Sequence, residues 1–169
     1  MRTFGAAILT LGLIATGAAV LADDNVEAKG DKVEYGLHDG HFVKNTYDIK
    51  GDSAYIAVSD RDSFDKIFGV GAVGGRKQNF VPKDAFDKKI VVAAMKKGAA
   101  LAMYKVEKVT VDGEATLYVQ YTVDTKGSAT GTATLVSPLI VSVDKGKIKT
   151  VIFIENGKKV DTVELGKGS

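Results

Sequence analysis

Three side chains with ligand chemistry fall within four residues: His38, Asp39 and His41, in the stretch HDGH. Two imidazoles and a carboxylate are donors that a transition-metal ion accepts. A metal site needs three or four such groups converging, and the chain has 2 histidines and no cysteine. His38, Asp39 and His41 are therefore the candidate metal-binding set. The competing reading is a turn at Gly40, joining VEYGL and HFVKNTY as a hairpin. Asp60, Asp62 and Asp65 open like a calcium loop but lack glycine at its sixth position and glutamate at its twelfth. Helix capping explains them better.

Gly69, Gly71 and Gly74 in FGVGAVGGRKQNF repeat the spacing of a dinucleotide fingerprint. That fingerprint works when a strand ends at the first glycine and a helix starts near the third, under the pyrophosphate. Here a helical pattern precedes the glycines, and Pro82 spoils the helix that should follow. No cofactor is expected. The run reads as a connection, and Arg76, Lys77, Asn79 and Phe80 beside its open backbone are the candidate contacts for a protein partner. No serine stands in a G-x-S-x-G setting, and no carboxylate pair sits in apolar surroundings, so no catalytic residue is expected. Thr130, Thr132 and Thr134 read as a solvated strand face. Tryptophan, the best residue for a sugar-stacking platform, is absent, although Tyr104, Tyr118 and Tyr121 could substitute.

The elements that must position these residues follow a leader. Residues 1–22 carry one basic residue, Arg2, then an apolar run, and Val20 and Ala22 fit the −3 and −1 positions of a signal-peptidase site. This predicts a cleaved signal peptide, a periplasmic or secreted product, and no membrane span after cleavage. Residues 23–32 read as a flexible polar lead and 33–169 as one domain, large enough to build a core without disulfides. Of 23 basic and 21 acidic side chains only Arg2 lies in the leader, so the mature chain would carry a net charge of +1. That balance gives no reason to expect nucleic acid as partner.

Within the domain the dominant period is two. SAYIAVS, KIVVAAM and the pair LAMYKVEKVTV and EATLYVQYTV around Asp112-Gly113 read as strands, with a bulge near Glu107-Lys108. Pro138 and Lys145-Gly146 punctuate the segments that follow, and Asn156-Gly157 closes a last hairpin. One stretch changes period: Phe64, Ile67 and Phe68 fall at helical spacing, capped by Ser59 or Asp60, with Gly69 at the position after the helix end. The prediction is a β-rich α+β domain. Its twisted antiparallel sheet would fold into a sandwich or partial barrel, with one short helix at about 60–68.

The order SFDKIF, variable loop, FDKKIVVAAMKKG, long hairpin and TLVSPLIVSVDKG resembles the C-terminal domain of the PrcB protease-complex subunit family of exported bacterial proteins. The likeness spans about residues 54–155 and rests on Phe86, Gly98 and Pro138. The chain departs from the family's turn after the central strand, where it has KKGAALAMY. The resemblance implies a non-catalytic accessory domain that binds a protein, with no active-site residues to carry over. The expected function is thus an exported protein-binding domain, associated with a protease or another envelope protein. A small-ligand or metal-binding periplasmic protein is the alternative.

Overall fold

The computed structural model describes residues 26–71, 78–113, 115–125 and 134–166. In chain order come β1 (Asp31–Lys32), β2 (Tyr35–Leu37), β3 (His41–Val43), β4 (Ser53–Val58), α1 (Arg61–Ile67) and β5 (Phe68–Val70). A 3-10 turn (Ala85–Asp87) leads into β6 (Lys89–Gly98), β7 (Met103–Val111), β8 (Thr116–Asp124), β9 (Leu135–Asp144), β10 (Thr150–Glu155) and β11 (Lys158–Glu164). One sheet has the order β1-β7-β8-β10-β11, the second β2-β9-β6-β4, and β3 pairs with β5 as a separate ribbon. The β-rich α+β prediction holds, and the sheets do not close into a barrel.

The two larger sheets pack face to face. Val92 and Ala94 of β6 and Val141 of β9 meet Leu117, Val119 and Tyr121 of β8 and Phe153 of β10. The opposite face of the second sheet is covered as well: Val91, Ala93 and Met95 pack beneath Phe64 of α1, Phe68 of β5 and Phe86 of the 3-10 turn. β6 is therefore buried on both sides, which is why its sequence is a continuous apolar run and not an alternating one. Asp60 caps α1, its carboxylate accepting the Ser63 N–H at 2.8 Å. No helix among the described residues is long and apolar enough to cross a membrane.

Turn chemistry sets the registers. Asn156 and Gly157 both take positive φ, 50° and 79°, as a two-residue hairpin with the twist of its strands requires. Between β7 and β8 the pairing steps from Val106–Tyr121 to Lys108–Gln120, so Glu107 is the extra residue of the expected bulge. All neighbouring strands are antiparallel except β8 and β10. The chain leaves β8, crosses to the other sheet as β9 and returns, and a crossover of that kind brings the next strand back parallel.

Four expectations are corrected. The segments either side of Gly40 do not pair with each other: β2 joins β9, and β3 joins β5. Gly69 does not end the helix in a left-handed conformation, because Phe68 is already extended and Gly69 lies inside β5. Pro138 does not interrupt β9, which runs through it opposite Met95. The strand on its other side, β2, reaches only Val141–Val143, so a missing N–H is tolerated there. The polar lead joins the fold from Val26 onward, with Val26 donating to the Gly157 carbonyl and β1 pairing with β7.

Candidate functional site

The segment 37–41 crosses from the second sheet to the β3–β5 ribbon, and the segment 78–82 is tied against it. Asp39 accepts the Asn79 N–H at 2.8 Å, and the Asn79 side-chain amide donates to the Leu37 carbonyl. The Val81 N–H donates to His41 Nε2 at 3.0 Å. Gly40 donates to Asn79 O and accepts from the Gly71 N–H at 2.9 Å. A loop segment without ladder partners is thereby held by side chains and single backbone bonds.

Aromatic rings then lie directly on glycine backbone. A Cβ at Gly40 would fall 2.3 Å from the Phe80 ring, and one at Gly69 2.5 Å from the Phe42 ring. His41 stands edge-on between Phe64, 5.1 Å away, and Phe80, at 5.6 Å. Several apolar side chains near this packing stay exposed: Phe42 is 48% exposed, Val70 64%, Phe80 39% and Leu37 43%. In β3 the alternation explains Phe42, since His41 and Val43 point inward and Phe42 outward, whereas Val70 pairs with His41 and lies on the other face of the ribbon.

Both histidines are buried. Burial holds His38 below the usual imidazole range, reinforced by the nearby His41 and by Lys89, while backbone at Phe80 and Asn79 acts the other way. Burial also lowers His41, with the Arg61 charge adding to the effect and the Gly69 backbone and the Asp65 charge opposing it. Both rings are therefore neutral near pH 7, as His41 must be to accept an N–H.

The predicted site residues are only partly brought together. Asp39 Oδ1 accepts from Asn79 and His41 Nε2 from Val81, and His38 Nε2 lies 2.9 Å from Ser142 Oγ. Among the described residues no group of three His, Asp or Glu side chains is arranged to hold a metal ion. Asn79 and Phe80 lie in the tied segment, while Arg76, Lys77, Thr130 and Thr132 lie outside the described residues. The tyrosines build no sugar platform. Tyr118 and Tyr121 are buried, and Tyr104 donates its hydroxyl to the Ser137 carbonyl at 2.8 Å. Sequence reasoning missed Leu37, Phe42 and Val70, although the outward phase of HFV marks Phe42. It missed Ser142 with no available signal, because His38 and Ser142 are 104 residues apart. No protein-family model matches the chain, and neither curated proteins nor solved structures contain a match.

Proposed function

We propose that the chain is an exported domain that binds a protein, periplasmic or secreted, in the manner of the PrcB-like accessory domains it resembles. The observation that carries this reading is the pair of exposed rings Phe42 and Phe80, which cover Gly69 and Gly40. Exposed aromatic rings at neighbouring positions on a domain surface favour a protein contact. The hydrogen bonds through Asn79 and Val81 hold the segment around Phe80 in shape before any partner arrives, which lowers the ordering cost of association. Rings lying on glycine backbone offer shape and not charge, consistent with a near-neutral chain and with a protein partner over nucleic acid.

The test uses residues 23–169 as bait in an envelope extract of the source organism, with and without EDTA. Beside it runs the double variant Phe42→Ser, Phe80→Ser, checked for an unchanged fold. A protein retained by the native bait regardless of EDTA, and lost with the double variant, supports the reading. Equal retention by both baits, or none by either, rejects it.

A further inference from the structure

Ser142 and His38 form a pair that the exposed rings do not use. Ser142 lies on β9 opposite Gly36 of β2, and His38 stands two residues beyond Gly36. Because Gly36 has no side chain, the imidazole reaches back over it to bring Nε2 2.9 Å from Ser142 Oγ. A Cβ at position 36 would fall 2.8 Å from that Oγ and 3.2 Å from Nε2, so glycine alone leaves room for the pair. Both side chains also line an open cleft of about 290 Å³, with Pro82, Asp84, Lys88 and Lys89 around it.

A serine hydroxyl within hydrogen-bond reach of an imidazole nitrogen is the geometry of an activated nucleophile. We propose that Ser142 and His38 act as nucleophile and base toward small activated acyl groups, such as aryl esters or thioesters, at the floor of this cleft. This goes beyond the protein-binding reading and does not depend on it. As Oγ bonds to the acyl carbon, its proton passes to Nε2. The bond to the leaving alkoxide or thiolate then breaks, and that group takes the proton. Water reverses the same steps to release the acid, and nothing is oxidised or reduced.

The details set the limits of this chemistry. The ring is neutral near pH 7, so the base is available without prior deprotonation. Among the described residues no carboxylate is bonded to the buried His38 Nδ1, so only backbone near Phe80 and Asn79 favours the imidazolium that forms. That restricts the pair to activated acyl donors and leaves amides untouched. Lys88 and Lys89 bring positive charge to the rim, the sign a developing oxyanion needs, against the one carboxylate of Asp84. Ser142 itself is nearly enclosed, so the acyl group must be small.

Residues 23–169 are treated with a small fluorophosphonate and, separately, with p-nitrophenyl acetate between pH 6 and 9, and adducts are mapped by peptide mass spectrometry. The expected result is an adduct on Ser142, forming faster as pH rises through the His38 titration and then levelling. His38→Gln should slow it by about 100-fold or more, the scale of a lost general base, and remove that pH dependence. Ser142→Ala should show no adduct in this peptide, and Gly36→Ala should slow labelling by wedging the pair apart. Thermal melts of each variant separate loss of reactivity from loss of fold. A folded native chain without a Ser142 adduct would overturn the proposal, as would a labelling rate unchanged in folded His38→Gln.

Discussion

The interface between the two large sheets and the region around Gly40 are built on opposite rules. Between the sheets, Val92, Leu117, Val119, Tyr121 and Phe153 interlock from strands whose backbone bonds are complete. Around Gly40 the strands are three residues long, the loops are tied by isolated hydrogen bonds, and two histidines are buried, His41 between two aromatic rings. The first region gains its stability from area removed from water, which is insensitive to any single polar bond. The second depends on particular acceptors and on two glycines, and it leaves apolar rings in solvent. The two kinds of construction are thus separated in space, with α1 and Phe64 as the joint between them.

Substitutions should expose that contrast in order of size. Phe153→Ala removes a ring from between the sheets and should cost about 3–5 kcal/mol in urea unfolding. Phe42→Ala, on the open face, should stay within about 0.5 kcal/mol. If the two cost the same, the division between regions fails. Gly40→Ala comes next, because its Cβ would meet the Phe80 ring at 2.3 Å. Displacing the ring should cost about 1–3 kcal/mol. Hydrogen exchange should show faster opening at residues 37–42 and 78–82, with the sheets unaffected.

Acidification should act on the second region alone. Both histidines titrate below their ordinary value of 6.5 in the folded chain, so folding favours their neutral forms. That stability is fully present above pH 6.5 and is lost as pH falls through the folded pKa values. The Val81 N–H bond to His41 breaks when Nε2 is protonated, a loss of about 1 kcal/mol. Unfolding midpoints measured from pH 7.5 down to pH 5 should fall, and the double variant His38→Gln, His41→Gln should flatten that slope. The smallest effect belongs to Asp65→Ala. It removes an exposed ion pair with Arg61 one helical turn away and should shift stability by no more than about 0.5 kcal/mol.

The same division governs how much could be read from the sequence. The bulge at Glu107 and the Asn156-Gly157 turn were legible because local chemistry decides them, and so was α1, where an acidic cap precedes apolar residues at helical spacing. β6 was legible as a central strand from its unbroken apolar run. The Gly40 region was not. Strands of three residues carry too little period to show which partner they take, so the hairpin expected across Gly40 gave way to two longer-range pairings. Pro138 misled because whether a strand tolerates proline depends on how far its neighbour extends. In the sequence Asn79 and Phe80 read as partner contacts beside a glycine run, and what the fold gives each is an internal role: one ties the segment down and the other covers Gly40. Ser142 needed the fold, since nothing local to it announces an imidazole.

The most direct measurement places a photo-cross-linking residue at position 42, at 80, at 103 or at 160 of residues 23–169 in envelope extract. Phe42 and Phe80 are the exposed rings near Gly40, whereas Met103 and Val160 are exposed apolar residues on strands of the other sheet. Binding through the Gly40 face predicts that one and the same protein is captured from positions 42 and 80 and not from 103 or 160. Capture from 103 or 160 alone, or an indiscriminate set of proteins from all four, would contradict it.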